Sequence, residues 1–508
     1  MKYTNPVISG FYPDPSVCRA DDTYYLVCSS FQYFPGVPLF ESKDLINWKQ
    51  IGHCLTRGSQ IQLEKVDHSG GVFAPTIRYL DGRFYMITTN SSTQQNFYVW
   101  TDNIYGEWSE PIFVDQNGID PSLYFEDGKA FFMSNGTDED GVNGIVQCEI
   151  DIGTGYKITP SRMIWQGTGG RYLEGPHMYK MDGRYYLLAS EGGTEYGHML
   201  TCARSDSLHG PFEADPNNPV LTNRNLGGYA IQGVGHGDLI EDREGHWWLL
   251  HLGFRQIGTW LPYHHLGREV FLTPVTFHED GWFTGGNNGT VSECFDTDRI
   301  SENTVQLKEN CFTFPYTTWD IDACYLRLPA KENYTLGKEL IRLKGTNVTL
   351  DQADSPTFIG FRQKEFCAEI SCDICISGGE AGLTLYMDEN HHFDLALRKA
   401  GDRFEVIERL NIGDVKSVVK VIERQQENHA SLLIRADHEN YRFYLIEESG
   451  EIFLGSAQTK YLSSEVAGGF TGVVIGLYAQ DEKADSLAEF SGFRCEYHEC
   501  SCSVTSKQ

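Results

Sequence analysis

Long apolar runs are missing from this 508-residue chain. No stretch approaches the roughly 20 consecutive apolar residues that cross a bilayer as a helix, so helical membrane spans are not expected. Basic side chains are scarce beside acidic ones, 41 against 70, and the formal charge of −29 would repel a nucleic acid while leaving neutral ligands admissible. The chain does not open on a basic segment followed by an apolar one, so a cytoplasmic location is expected. Helical periodicity is almost absent. The 14 cysteines are scattered rather than framed as in small secreted domains, and thiols in that setting are expected to stay reduced. Cys372 and Cys375 fall in a strand-like segment. Cys495, His498, Cys500 and Cys502 at the chain end raise a zinc site, against the competing reading of a frayed terminus.

What the chain has is apolar and aromatic side chains, at 40 % and 13 %, enough to bury large cores and to furnish stacking surfaces. Its length exceeds one ordinary core, so two domains are expected. Period-two alternation runs throughout, which makes the class all-β.

One unit recurs in the first 290 residues. It reads DPSVCRADDTYYLV, APTIRYLDGRFYMI, DPSLYFEDGKAFFM, GPHMYKMDGRYYLL and GHGDLIEDREGHWWLL, with starts at positions 14, 74, 120, 175 and about 236, between 46 and 61 residues apart. The Asp-Gly and Asp-Asp pairs sit where a two-residue hairpin turn needs positive φ, so each unit opens as two antiparallel strands. More strands follow, near Trp48, Trp108 and Phe212. The spacing suits four-stranded propeller blades of about 40–50 residues with insertions, and five units predict a five-bladed β-propeller.

That geometry gives Asp14 a purpose. Set between Pro13 and Pro15, it has no helix to cap, and by itself it reads as a turn aspartate. In a propeller the first strand of each blade lies innermost, so Asp14 and Asp120 occupy equivalent places at the mouth of the channel, and Glu174 lies one residue ahead of that place. Crowded carboxyl groups cannot all ionise freely; one is pushed toward neutrality and can donate a proton while another stays a base. Such a pair is what glycoside hydrolysis uses. Metal binding is the rival use of clustered acids, but calcium or magnesium needs a tight oxygen shell. His236, at the same place in the fifth unit, is open to three roles: a ligand to a metal such as calcium, a contact to a sugar, or a satisfied core histidine.

The segments GFYPDPSVCRADDTYYLVCSSFQYFPGVPLFESKDLINW, GGVFAPTIRYLDGRFYMI, IDPSLYFEDGKAFF, EGPHMYKMDGRYYLLASEGGT and GHGDLIED together resemble glycoside hydrolase family 43, in particular its β-xylosidase and α-L-arabinofuranosidase branch. SPTFIGFRQ and EAGLTLYMDENHHFDLAL resemble that branch's C-terminal β-sandwich. The resemblance implies an inverting mechanism in which Asp14 is the general base, Glu174 the general acid, and Asp120 the residue that raises the acid's pKa and holds it. It implies that Arg268 steadies the carboxylates and sugar hydroxyls, and that Phe31 and Phe73 wall the sugar pocket. Position 73 is often tryptophan in the family and is phenylalanine here. Thr194 in EGGT is carried over as a sugar-binding residue, though it would also serve merely to shape its turn. No cofactor is implied as required, with calcium near His236 the metal in question at the channel.

Residues 291–305 are polar and lack the repeat, and are expected to form a linker between a propeller over 1–290 and a jelly-roll-like sandwich over 306–508. The second domain reads either as a stabilising appendage or, as the resemblance implies, as the source of a loop that closes the pocket. The expected activity is exo-acting release of terminal xylose from short β-1,4-xylo-oligosaccharides, with arabinofuranose release, alone or in the same site, as the alternative. A carbohydrate-binding propeller is the non-enzyme alternative. Fructan-cleaving propellers share the layout, but their Asn-Asp-Pro-Asn and Glu-Cys signatures are replaced here by Pro-Asp-Pro-Ser and Glu174-Gly175. The expected partner is a small oligosaccharide, with neither nucleic acid nor membrane; a homo-oligomer is compatible with the sequence.

Overall fold

In the computed structural model, residues 2–300, 304–307, 311–313, 321–337 and 340–500 are described. Two units emerge, one of residues 1–262 with 268–307 and the other of 263–267 with 308–508.

The first unit is the five-bladed propeller. Its blades are four-stranded antiparallel sheets that begin at Ser16–Ala20, Thr76–Leu80, Ile119–Glu126, Glu174–Met181 and Ile231–Glu241. The first four opening hairpins turn where the Asp-Gly and Asp-Asp pairs stand, and the fifth turns over the longer loop 242–246. Asp81 and Gly82, Asp127 and Gly128, and Asp182 and Gly183 all have positive φ, at 49° and 86°, 50° and 73°, and 50° and 78°. Two consecutive left-handed residues make the tight turn that matches strand twist, which is why Gly recurs at the second position. The five opening strands pack in succession around the axis, the fifth returning to the first.

A buried ion pair fills the axis. Asp238 of blade five, with no solvent exposure, takes hydrogen bonds from Ser16 Oγ at 2.7 Å and Val17 N at 3.0 Å in blade one, from Arg78 Nη1 at 2.7 Å in blade two, and from the Tyr179 hydroxyl in blade four. Arg78 Nη2 also lies 2.9 Å from His177 Nδ1. Burial alone would raise the Asp238 pKa, yet the Arg78 guanidinium and the hydrogen bonds hold it far below the usual carboxylate range. Four of the five blades are therefore tied to one carboxylate.

Residues 291–305, expected as a linker, are partly built into this unit. Cys294–Asp296 pair antiparallel with Lys2–Thr4, and Phe295 stacks on Tyr3 at 5.7 Å. The exposed polar face of the segment hides the buried Phe295, and the partner strand lies at the far end of the chain, so local composition carried no sign of the pairing.

The second unit is a sandwich of an eight-stranded and a six-stranded antiparallel sheet. The alternation read in the sequence places Ile370, Cys372, Ile374 and Ile376 of Ala368–Ile376, and Leu383, Leu385 and Met387 of Glu380–Asp388, in one buried core. Cys367 and Cys500 form a disulfide, their Cα atoms 5.5 Å apart, contrary to the expectation of reduced thiols throughout. Separated by 133 residues, they meet because 368–376 and 487–497 are neighbouring strands. Cys495 is a buried core residue rather than a ligand at the chain end, and Cys372 likewise points into the core. Cys502 lies outside the described residues.

Candidate active site

The residues singled out at the channel mouth lie where the opening strands bulge. The pairing of blade three's first strand slips between Ile119 and Ser122, leaving Asp120 unpaired, and that of blade four slips between Glu174 and His177. Asp14, Asp120, Gly175 and His236 all have positive φ, at 57°, 55°, 59° and 37°. A bulge residue in the left-handed region turns its side chain out of the pleat, and prolines after Asp14, Asp120 and Gly175 donate nothing to the ladder that would be broken. The repeat thus delivers a side chain to the mouth from each of several blades.

Asp14 is 6 % exposed and held on both oxygens. Ser29 Oγ donates to Oδ2 at 2.5 Å, and Arg268 Nη1 donates to Oδ1 at 2.9 Å. Burial pushes its pKa up, but the Arg268 guanidinium and the Ser29 hydrogen bond outweigh this and leave it below the ordinary value, so Asp14 is ionised at neutral pH. Arg268 precedes the third strand of blade five, Glu269–Phe277, and its Nη1 also donates to Thr194 Oγ1 at 2.7 Å. Its guanidinium carbon lies 5.6 Å from the Phe31 ring, and Phe31 in turn is 5.5 Å from Phe73. The structure therefore brings Asp14, Arg268, Thr194, Phe31 and Phe73 into one continuous set of contacts.

Asp120 faces the backbone of the neighbouring blade. Its Oδ2 accepts the Gly175 N–H at 3.1 Å and lies 3.7 Å from His236 Nδ1. A Cβ at Gly175 would come within 3.0 Å of that same imidazole nitrogen, which explains glycine after the acid in LEGPH. Glu174 is partly accessible, and its pKa is pushed up to about 7, first by burial and then by the charge of Asp14. Burial and the charge of Glu174 raise Asp120 as well. Neighbouring carboxyls that both resist ionisation do not lose their protons independently. The charge acting on Glu174 thus comes from Asp14 more than from Asp120, while Asp120 grips the peptide beside it.

Burial lowers the His236 pKa and keeps its imidazole neutral; its own N–H donates to Ser190 Oγ at 2.8 Å. A calcium ion takes six to eight oxygens. Asp120 Oδ2 is 3.7 Å from the His236 imidazole, on which the charges of Asp14 and Asp238 also act. Among the described residues, the groups of three or more ligating side chains are Cys367 with His438 and Cys500, and Asp242 with Glu244 and His246. His236 belongs to neither group, and no chemistry is assigned through calcium.

Several residues at this mouth escaped the sequence reading. Ser29 and Ser190 hold Asp14 and His236. His198 is buried against Gly235, where an added Cβ would meet its ring at 2.4 Å, and its Nδ1–H donates to Gly233 O at 3.1 Å. Burial takes its pKa down to about 3. Ser29 stands just after the second strand of blade one and Ser190 next to the end of that of blade four, a positional signal that was available; His198 stands outside the repeated segments and offers none.

An ionised carboxylate together with one that resists ionisation, beside the Phe31 and Phe73 rings, can perform acid–base chemistry on a neutral substrate. The sequence model of Glycosyl hydrolases family 43 matches residues 3–283, and that of the Beta xylosidase C-terminal Concanavalin A-like domain matches residues 311–496. The chain is 38 % identical over 507 residues to a non-reducing end α-L-arabinofuranosidase of Bacteroides ovatus, covering 97 % of this chain and 95 % of that one. It is 36 % identical to a xylosidase/arabinosidase of Butyrivibrio fibrisolvens, covering 97 % and 99 %. The solved structure of a xylan β-1,4-xylosidase from Bacillus halodurans superposes with a TM-score of 0.90 at 30 % identity, over 98 % of this chain and 100 % of that one.

Proposed function

Since the chain belongs to glycosyl hydrolases family 43 and is a glycoside hydrolase, we propose that it removes single pentosyl units from the non-reducing ends of short oligosaccharides, with inversion at the anomeric carbon. The observation that carries this reading is the split between Asp14, held ionised by Arg268, and Glu174, raised to about 7. Asp14 takes the proton of the attacking water; Glu174 protonates the departing glycosidic oxygen; Asp120 fixes the Gly175 peptide and shares the site's proton. Arg268 keeps the base charged, and with Thr194 it faces the sugar hydroxyls. Phe31 and Phe73 supply apolar walls, and His236 is a neutral polar contact.

Exo action is supported by the filled axis. Ser16, His177 and Asp238, two or three residues on from Asp14, Glu174 and His236, gather around Arg78, so the side chains that fill the channel lie deeper along the opening strands. A channel closed beneath the site is a pocket, which admits a chain end.

Both terminal α-L-arabinofuranosyl and terminal β-xylosyl groups are taken in this reading. Relatives bearing both names support it, as does phenylalanine in place of tryptophan at position 73, which leaves a wider wall. The proposed setting is the cytoplasm, where short imported oligosaccharides would be the substrate. The test is to compare kcat/KM on nitrophenyl α-L-arabinofuranoside and nitrophenyl β-xyloside, and to follow the anomer first released by NMR. Activity on both with an inverted product supports the reading. A retained anomer, or full activity in well-folded Asp14→Ala or Glu174→Ala, overturns it.

A further inference from the structure

Glu191 ends the second strand of blade four, Arg184–Glu191, and is fully buried. Its carboxylate accepts four hydrogen bonds, all from neutral donors. Oε1 takes Thr168 N at 2.8 Å and Thr201 Oγ1 at 2.9 Å; Oε2 takes Gly170 N at 2.7 Å and Thr168 Oγ1 at 3.1 Å. A buried carboxylate is expensive without a cation, and it persists only where its lone pairs are used. An amide in its place offers one oxygen, whereas a carboxylate gathers donors on both.

Three of those four donors belong to residues 168 and 170, in the segment Gln-Gly-Thr-Gly-Gly-Arg-Tyr-Leu that leads directly into Glu174. With three glycines, and with Leu173 its one buried side chain, this segment has little intrinsic order before its last residue. Two of the glycines are required by the carboxylate itself. A Cβ at Gly167 would lie 2.9 Å from Oε1, and one at Gly170 would lie 2.6 Å from Oε2. A second tie follows at Arg171, whose Nε donates to Gly192 O at 2.9 Å and whose carbonyl accepts Gly192 N at 2.8 Å. Tyr172, two residues before the acid, is held at φ 55°, a conformation that a bulky residue adopts only under constraint. Three residues beyond Glu191, Thr194 accepts from Arg268, which in turn holds Asp14.

The geometry points to Glu191 as a positioning residue that holds Glu174 where it can protonate the leaving group, by tying the 166–173 segment to the end of the blade-four strand. This inference rests on the reading of Glu174 as the general acid. A loosened acid penalises substrates whose leaving group must be protonated and spares those whose leaving group departs as a stable anion; mere loss of packing penalises both alike.

The experiment compares kcat/KM on a disaccharide and on the corresponding dinitrophenyl glycoside for wild type, Glu191→Gln, Thr168→Ala and Glu174→Ala, with thermal unfolding followed in parallel. Glu191→Gln should lose about 30-fold on the disaccharide, part of the roughly 10²–10⁴-fold that a general acid contributes, and less than about threefold on the dinitrophenyl substrate. Thr168→Ala, which removes one of the four donors, should show the same asymmetry to a smaller extent and carries the comparison if Glu191→Gln does not fold. Equal losses on the two substrates, or no loss on either, overturn the inference. Glu174→Ala separates the two failures: if it too lacks the asymmetry, the general-acid reading has failed; if it shows the asymmetry and the Glu191 and Thr168 variants do not, only the positioning role has.

Discussion

Replacing Arg268 by methionine isolates the interaction on which the proposed division of labour depends. Arg268 Nη1 stands 2.9 Å from Asp14 Oδ1, and both residues are about 5 % exposed, so screening by solvent is small. Unit charges some 4 Å apart at an effective dielectric constant of about 20 attract by about 4 kcal/mol. With the cation gone, burial acts on Asp14 against little more than the Ser29 hydrogen bond, and the carboxyl takes up a proton at higher pH. The acidic limb of the kcat/KM profile should therefore move alkaline by roughly one to three pH units, the range by which a neighbouring arginine lowers an aspartate. Arg268 also holds Glu174 down, so the alkaline limb should move in the same direction. Stability supplies an independent reading with the sign worked from the same shifts. In the wild type the folded-state pKa of Asp14 is depressed, so its contribution is present above the unfolded value and lost as pH falls through the folded one. In the variant it is raised, so stability is lost as pH rises through the folded value. The deficit of Arg268→Met relative to wild type in urea unfolding should widen from pH 5 to pH 8, approaching the 3–5 kcal/mol typical of a buried pair with one partner removed. A folded variant whose acidic limb coincides with that of the wild type would refute the assignment of Asp14's charge to Arg268.

Two more outcomes are expected. Asp238→Asn leaves Arg78 without its buried counter-charge at the point where four blades meet, and should cost about 3–5 kcal/mol in equilibrium unfolding; a loss under about 1 kcal/mol would mean that the axial network is not holding the blades together. Acid-quenched, alkylated cells report the state of Cys367 and Cys500 in their native compartment. The proposed cytoplasmic setting predicts that both are alkylated as thiols, and a protected pair would place the protein in an oxidising compartment.

Much of the propeller was legible because its signals are local. Hairpin turns demand two left-handed residues, and Asp81-Gly82, Asp127-Gly128 and Asp182-Gly183 announce them wherever they occur. Alternation announces a strand with one core face, as in Ala368–Ile376. Repetition then placed Asp14, Asp120 and Glu174 at equivalent strand starts without any knowledge of their neighbours. The charge on each carboxyl was not legible. It depends on contacts between residues far apart in the chain, such as Asp14 with Arg268 and Asp120 with the Gly175 peptide, and on how much water each has lost. The Asp238 network, the four donors on Glu191, the pairing of Cys294–Asp296 with Lys2–Thr4 and the Cys367–Cys500 bond were hidden for the same reason. Turn chemistry and side-chain period are written residue by residue, so the sequence by itself determined the blades and which acids head them. Pairing between distant segments and the burial it creates exist only once the chain has closed on itself, so the tertiary structure alone decided which acid is ionised and which keeps its proton.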